Sequence, residues 1–258
     1  PTNLIIAPIG DGNVLDSWLD RPDDRQFDLF VIDFRPGPRM PPPLAAHFLN
    51  RPGFKFEHLD FIAEHLAEVL NCYDRIWCPD DDIALDTLAI NRMFALVEQH
   101  RLQLAQPAVA SGDVSFQSFR PKEGAILRFS PFVEVMCPVF TREAFFRVRH
   151  TFPASRSGWG LDLAWPQFFD PREVAILDCI HVHHTRPLAT GEAYARFRRF
   201  GIDPASERDE VRRHFGCVSE YVNRRMVFGK LKMPTIHDPA YHRSIWRRLR
   251  ERLSRHAA

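Results

Sequence analysis

The sequence has little net charge and no long apolar run, and each shortage excludes a class of protein. Its 34 Lys and Arg residues nearly balance its 33 Asp and Glu residues, which leaves a formal net charge of +1. The chain as a whole therefore has no electric field that demands a nucleic-acid partner. No stretch approaches the roughly 20 apolar residues of a membrane span, and the amino end lacks the regions of a secretory signal.

Cysteines are few and show no paired spacing. The five are scattered along the chain, and three of them lie in apolar runs, where a thiol behaves as a small hydrophobic group. We interpret all five as reduced and expect a cytoplasmic protein.

Two common nucleotide-binding motifs are also missing. No G-x-x-x-x-G-K-[ST] segment occurs, which excludes a P-loop, and GDGNVL has two glycines but lacks the third of a dinucleotide fingerprint. Nucleotide binding, if present, must use another arrangement of residues.

Short apolar runs alternate with helical patterns along the first half of the chain. NLIIAPIG, FDLFVIDF and RIWC have the composition of buried strands, whereas Leu59, Ile62, Leu66 and Leu70 recur at helical spacing. This alternation is typical of a parallel sheet covered by helices. Further strands are predicted for LQLAQPAVA, ILRF, VEVMCPVF and VAILDCIHVHHTRP, and mostly helix from Thr190 onward. The sequence predicts one α/β domain with a mostly parallel central sheet.

Three consecutive carboxylates, Asp80, Asp81 and Asp82, follow the predicted strand RIWC. In open parallel sheets, ligands bind outside the carboxyl ends of the strands. A solvated turn is one interpretation, but like charges this close favour a bound cation. Mg²⁺ and Mn²⁺ prefer carboxylate oxygens and leave coordination positions for substrate phosphates. The calcium-loop pattern is poorly met, because its central glycine and closing glutamate are missing.

The segment SGWGLDLAW forms a second candidate site. Gly158 and Gly160 allow close approach of the backbone to a ligand, and Trp159 offers a flat face for a sugar ring. Asp162 stands at a predicted helix start, where its carboxylate either accepts a proton in catalysis or simply caps the helix. We expect Trp159 and Gly160 to bind an acceptor.

The segment DCIHVHHTRP forms a third candidate site. On a strand, His181 and His183 point to one face and His184 to the other. One histidine at the strand end could complete a metal shell with the aspartates, or be a hydrogen-bonded core residue. Arg186 is then close enough for its planar guanidinium to bind phosphate.

These motifs together resemble a known family. YDRIWCPDDDI is similar to the D-x-D segment of GT-A-fold glycosyltransferases, and GWGLD to a segment of β-1,4-galactosyltransferase-like enzymes. In order, KFEHLDFIAEHLAEVLNCYDRIWCPDDDI, LAQPA, FVEVMCPVFTREAF, SGWGLD and ILDCIHVHHTRP resemble a plant and bacterial family known in plants as lysine-ketoglutarate reductase trans-splicing-related. The resemblance covers roughly residues 3–190 and implies a GT-A-like (Rossmann-like) domain.

The resemblance implies a metal-dependent transfer of a sugar from a nucleotide-sugar donor to a hydroxyl acceptor, with Mn²⁺ or Mg²⁺ as cofactor. Asp80, Asp82 and His184 (or its neighbour His183) correspond to metal ligands, and Asp162 to the catalytic base of inverting enzymes. Asp81, Asp33, Lys55 and Arg186 are the expected donor-binding residues. The implied acceptor is a saccharide or a lipid-linked saccharide. Alternatives are a non-catalytic nucleotide-sugar or carbohydrate-binding module and a metal-dependent phosphodiesterase.

The chain is expected to divide into a catalytic domain, residues 1–190, and a basic helical extension, residues 191–258. Ile245, Trp246, Leu249 and Leu253 form an apolar helical stripe surrounded by arginines near the end of the sequence. This helix either packs on the domain or lies on an anionic membrane surface. The second alternative predicts a cytoplasmic protein peripheral to the inner membrane face.

Overall fold

Strands and helices alternate along the chain in the computed structural model, which describes residues 1–217 and 234–240. The strands are β1 (Asn3–Ile9), β2 (Asp28–Asp33), β3 (His47–Asn50), β4 (Arg75–Trp77), β5 (Ile83–Ala84), β6 (Leu104–Ser111), β7 (Ala125–Phe129), β8 (Val139–Thr141), β9 (Val174–His184) and β10 (Thr235–His237). The α-helices are α1 (Leu15–Trp18), α2 (Lys55–His65), α3 (Ala67–Leu70), α4 (Thr87–Gln99), α5 (Arg142–Val148), α6 (Leu161–Ala164), α7 (Gly191–Arg199) and α8 (Pro204–Phe215).

The described strands form one sheet in the order β10-β7-β9-β6-β8-β4-β1-β2-β3, and β5 pairs with the end of β9. Strands β3, β2, β1 and β4 are parallel, as are β6 and β9, whereas β8 lies antiparallel between β4 and β6. The predicted α/β class with a mostly parallel sheet core is confirmed. The carboxyl ends of these parallel strands lie on one edge of the sheet.

The sheet is buried on both faces, which is why its central strands read as continuous apolar runs. In β1, Ile5 and Ala7 face a core that contains Trp18, whereas Leu4 and Ile6 face a second core. Helices α1 and α4 cover the first core, and α2, α5 and α6 cover the second. The side chains of Asp86 and Thr141 cap α4 and α5 by accepting hydrogen bonds from backbone N–H groups of the first turns.

One predicted strand is mostly wrong. Of VEVMCPVF, only Val139 and Phe140 lie in a strand, as the first two residues of β8, and residues 133–138 form a loop. Pro138 cannot donate a ladder hydrogen bond. The Lys55 ammonium and the Asp80 N–H donate hydrogen bonds to carbonyl oxygens of the loop. This segment is called the site loop below.

The last described segments depart in part from the helical expectation. Helices α7 and α8 lie within residues 191–217, as predicted, but β10 adds an antiparallel strand to β7. The stripe of Ile245, Trp246, Leu249 and Leu253 lies outside the described residues. Among those described, no helix combines the length and the apolar character needed to cross a bilayer.

Candidate functional site

The three aspartates lie at the carboxyl edge of the sheet, as the sequence predicts. Asp80 follows the end of β4, and β5 begins directly after Asp82. Strand β5 pairs with the end of β9, so that Ile83 stands opposite His184. This pairing brings the aspartates and the strand-end histidine together.

Asp82 and His184 face each other at the centre of the site. His184 Nδ1 lies 3.1 Å from the carbonyl oxygen of Asp113, and Nε2 lies 3.4 Å from Asp82 Oδ2. A carbonyl can only accept, so Nδ1 carries a proton and directs Nε2 at the carboxylate. Burial alone would lower the pKa of His184, but the hydrogen bond to Asp82 and the charge of Asp82 outweigh it and raise the pKa.

The donor atoms at this point suit a divalent cation. Asp82 Oδ1 is buried and has no hydrogen-bond partner among the described residues. A neutral His184 would present its Nε2 lone pair, and second-sphere fixing of the other nitrogen is usual for metal-binding histidines. No three such side chains in residues 1–217 and 234–240 lie close enough to hold an ion alone. Asp82 and His184 therefore fit an ion whose remaining positions are filled by phosphate and water.

Asp80 lies beside Lys55. Lys55 Nζ donates to Asp80 Oδ1 at 2.7 Å and to the carbonyl oxygens of Val135 and Met136 in the site loop. Desolvation in the concavity raises the pKa of Asp80, and the Lys55 charge opposes this. The Asp80 side chain is still 44% exposed, so this carboxylate is open to a ligand.

Asp81 and Arg186 pair with each other and bind the backbone of the loop after β1. Asp81 Oδ2 accepts from the Gly10 N–H, and Oδ1 accepts from Arg186 Nη1, both at 2.7 Å. Arg186 Nη2 also donates to the carbonyl oxygens of Asp11 and Gly12. These contacts tie the loop after β1 to the end of β9, and donor binding by Asp81 and Arg186 stays a prediction.

Asp33 is likewise neutralised internally. Arg35 Nε donates to Asp33 Oδ1 at 2.9 Å, and Arg35 Nη1 donates to Asp11. The hydrogen bond from Arg35 lowers the pKa of Asp33. Asp33 thus lies at the site edge as a paired carboxylate, and its predicted contact with a donor is untested.

Asp162 lies in a tight glycine turn and is buried. Gly158 and Gly160 have φ of +84° and +92°, and a Cβ on Gly158 would lie 2.3 Å from the Phe56 ring. Only glycine tolerates both conditions. Burial, followed by the charge of Glu134, raises the pKa of Asp162 to about 8, against the opposing N–H groups of Leu163, Val135 and Gly160. Such a group is a better proton acceptor than an ordinary aspartate.

Trp159 and helix α7 close one side of the site. Trp159 is half-buried, and its side chain lies close to Tyr194 on α7. Arg196 of α7 stacks on the rings of Phe34 and Phe54, at 4.9 and 4.6 Å from their centroids. Binding of a sugar to Trp159 stays a prediction, as does the contact of Gly160 with an acceptor.

Glu134 in the site loop was missed in the sequence analysis. It is buried, its Oε1 accepts from the Ser115 hydroxyl, and its Oε2 has no partner among the described residues. Desolvation and the charge of Asp80 raise its pKa to about 7, against hydrogen bonding from Ser115. The available signal was a lone acid in an apolar run, FVEVMCPVF.

Gly112 supports His184 by leaving room for its backbone. Its φ is +79°, and a Cβ there would lie 1.9 Å from the His184 carbonyl oxygen. We expect Gly112→Ala to lower the free energy of unfolding by about 2–4 kcal/mol, because left-handed strain and overpacking add. Chemical denaturation measures this loss.

Gly37→Ala is the matched control, since Gly37 has φ of +84° and nothing within 4 Å of the added Cβ. That variant should lose about 1–2 kcal/mol, from backbone strain alone. Equal losses in the two variants would contradict the proposed clash with His184.

A separate groove lies on the other face of β9. It has a volume of about 530 Å³ and is lined in part by Asp20, Ser111, His181 and His183. His183 is hydrogen-bonded to Ser111, and His181 to the Asp178 carbonyl. His183 thus points away from the aspartates, and of the two histidines considered as a ligand only His184 faces them.

Comparisons with known proteins bear on the fold. No protein-family model and no curated protein matches the sequence, so the resemblance to the lysine-ketoglutarate reductase trans-splicing-related family is not confirmed. Among solved structures, GalNAc-T7 with UDP, GalNAc and Mn²⁺ aligns with a TM-score of 0.52 at 11% identity, covering 88% of this chain and 57% of that one. This chain therefore spans little more than half of that protein.

Two further structures align less closely. S. aureus TarS 1-349 has a TM-score of 0.46 at 12% identity, with 84% of this chain and 72% of that chain covered. A197 from STIV has a TM-score of 0.44 at 11% identity, with 71% and 85% covered. The inference of a GT-A-like fold rests on the GalNAc-T7 alignment, and at these identities the likeness concerns the fold alone.

Proposed function

We propose that the protein is a metal-dependent glycosyltransferase that moves a sugar from a nucleotide-sugar donor to a hydroxyl group of an acceptor. The observation that carries this proposal is the meeting of Asp82 and His184 at the carboxyl edge of a GT-A-like sheet, where one Asp82 oxygen has no hydrogen-bond partner within the described part of the chain. The similar fold of GalNAc-T7, which was crystallised with UDP, GalNAc and Mn²⁺, supports the same assignment.

Asp82 and His184 would hold Mn²⁺ or Mg²⁺, with Asp80 beside them. When bound, such an ion neutralises the charge of a departing diphosphate. Lys55 holds Asp80 in place through its 2.7 Å contact, and Arg186 fixes the neighbouring loop through Asp81. These contacts fix the side chains and the loop that would face the donor diphosphate before it binds. Such preorganisation lowers the entropy cost of binding.

Asp162 is the proposed base of an inverting reaction. Its carboxylate takes the proton from the acceptor hydroxyl while that oxygen forms a bond to the anomeric carbon, and the bond from this carbon to the diphosphate oxygen breaks. Burial keeps water from Asp162, and the raised proton affinity suits a base that works near neutral pH. Trp159, half-buried beside it, offers an apolar face to the acceptor sugar.

Calorimetric titration of UDP, GDP and their sugars, with and without Mn²⁺, tests the proposal. We expect one nucleotide sugar to bind more tightly with Mn²⁺ by at least about 10-fold, or about 1.4 kcal/mol. Asp82→Asn should remove this metal dependence, because the amide has no negative charge to offer the ion. Product analysis with saccharide and lipid-linked acceptors then separates transfer from donor hydrolysis.

Asp23→Asn is the matched control, since Asp23 is an exposed aspartate remote from the cluster in the chain. It should bind donor and metal as the unaltered protein does. Donor binding indifferent to Mn²⁺ and to Asp82→Asn would overturn the proposal, and metal-dependent binding without transfer would identify a binding module instead.

A further inference from the structure

A cluster of arginines and phenylalanines lies beside the glycine turn that contains Trp159. It is built from the loop before α2, the loop before the turn and the end of α7. Its members are Phe54, Arg156, Arg196, Arg199 and Phe200. We call this cluster the arginine-phenylalanine patch.

The rings of the patch hold its guanidinium groups in place. The Cζ atoms of Arg156 and Arg196 lie 4.8 and 4.6 Å from the centroid of the Phe54 ring. The Cζ atom of Arg156 also lies 5.8 Å from the centroid of Phe200, as does that of Arg199. A guanidinium group over a ring uses its flat face, and its N–H groups stay available at its edge for hydrogen bonds.

The carboxylates that bind Arg156 are engaged by other donors as well. Glu57 Oε1 accepts from Arg156 Nε at 2.7 Å, and Oε2 accepts from the Phe54 N–H at 2.9 Å. Glu207 of α8 accepts from the backbone N–H groups of Arg156 and Ser157. Because their oxygens are taken up in this way, neither glutamate neutralises the arginines of α7.

Arg196 and Arg199 form no ion pair with a carboxylate in the part of the chain that the structure describes. Arg196 Nη2 donates to the uncharged carbonyl oxygen of Gly53 at 2.6 Å. Burial lowers the pKa of Arg196, the charges of Glu192 and Glu57 oppose this, and neighbouring guanidinium groups lower it further. An arginine stays protonated at neutral pH despite such a shift. The patch therefore has positively charged N–H groups to offer an anion.

A row of rings connects the patch to Trp159. The Phe54 ring stacks on that of Phe197, with 5.3 Å between centroids, and Phe197 contacts Tyr194 at 5.4 Å. Tyr194 in turn lies close to Trp159. A saccharide that places one hydroxyl group at Asp162 can thus continue over Trp159 and across the patch.

We propose that the arginine-phenylalanine patch binds the acidic groups of the acceptor, which makes the acceptor a negatively charged saccharide. The inference rests on the proposed function, in which the acceptor lies at Trp159 and Asp162. The planar fork of an arginine matches a carboxylate or a phosphate group with two hydrogen bonds. A saccharide is favoured over an anionic membrane surface, because the row of rings leads to Trp159, whose flat face suits a sugar ring.

Calorimetry with hexagalacturonate, which has a carboxylate on every sugar unit, tests the proposal. Its methyl ester has the same backbone without the charge and is the matched ligand. We expect the acid to bind at least about 10-fold more tightly than the ester, since several exposed ion pairs add up. Added salt should weaken binding of the acid, because it screens exposed charges. Equal affinities of acid and ester would overturn the proposal.

Two exposed arginines of the patch can be altered separately. Arg156→Gln and Arg199→Gln should each weaken binding of the acid by about 3- to 5-fold, and together by about 10-fold, because each removes one charge. The Arg156 side chain is 44% exposed, and Arg199 is exposed as well. Thermal unfolding shows whether each variant keeps its fold.

Arg172→Gln is the matched control, since Arg172 is an exposed arginine directly before β9, at the opposite edge of the sheet. It should bind the acid as the unaltered protein does. If it weakened binding as much as the two patch variants, the attraction would be unspecific and the proposal would fail.

The binding experiment contains no donor, so its outcome does not depend on sugar transfer. If the patch binds the acid but no acceptor receives a sugar, the proposed function is refuted and the binding site remains. If acidic and neutral saccharides receive sugar equally fast, the transferase remains and the assignment of its acceptor is wrong. Binding of phosphatidylglycerol vesicles through Arg156 and Arg199, without binding of hexagalacturonate, would identify a membrane as the partner and overturn the inference.

Discussion

Asp162→Asn is expected to reduce sugar transfer by roughly 10²–10⁴-fold, the usual contribution of general-base catalysis, while donor affinity stays unchanged. The amide cannot take the proton of the acceptor hydroxyl. It can, however, accept the hydrogen bond that Leu163 N–H donates to Oδ1 at 3.0 Å. The geometry of the turn is therefore preserved, and the loss of sugar transfer measures the contribution of Asp162 to proton removal. Initial rates and calorimetric donor affinities measure the two quantities.

Asp170→Asn is a suitable control, because Asp170 is an exposed aspartate at a turn and accepts from the Arg172 N–H in a comparable way. Its transfer rate should not change. Unaltered turnover in Asp162→Asn would leave Asp162 as a structural residue. The anomeric configuration of the product, followed by NMR, decides between inversion and retention.

Arg128→Met is expected to lower the free energy of unfolding by about 3–5 kcal/mol, because it leaves a buried carboxylate without its cation. Arg128 donates to Asp178 through Nε and Nη2, at 2.7 to 3.0 Å. The Asp178 side chain is fully buried and, among the residues that the structure describes, would keep the Lys122 N–H alone as donor. Denaturant titration measures the loss.

Arg149→Met is the matched control. Arg149 pairs with Asp60 and Glu64, but its side chain is 31% exposed, and surface pairs of this kind contribute about 0–1 kcal/mol. If the two variants lost comparable free energies of unfolding, burial would not set the strength of the ion pair between Arg128 of β7 and Asp178 of β9.

The layout of the first half of the fold follows from local patterns. Strands buried on both faces have continuous apolar runs, and helices covering them show 3.6-residue periodicity, so that alternation along the chain predicted the parallel sheet. The aspartates after β4 and the glycine turn before Asp162 were also predictable, since a charge cluster at a strand end and a glycine pair are both local features.

The rest depends on contacts between distant residues. The two-residue strand β5 is too short for any periodicity, yet its pairing places Asp82 at His184. The segment containing Glu134 has strand-like composition, but donors from the distant Lys55 and from the Asp80 N–H bind its carbonyl oxygens and help to hold it as a loop. The pairing of Asp33 with Arg35, and of Asp81 with Arg186, likewise needs the folded backbone to bring each guanidinium to its carboxylate.

The contact between Asp81 and Arg186 joins residues 105 positions apart, which has a consequence for the order of assembly. During synthesis the aspartate turn leaves the ribosome long before β9 and Arg186 do. Contacts of high sequence separation form late, because the entropy of the intervening chain must be overcome first. The candidate site is therefore among the last parts of the domain to form. In a nascent chain that ends before β9, the aspartates lack their contacts with His184 and Arg186.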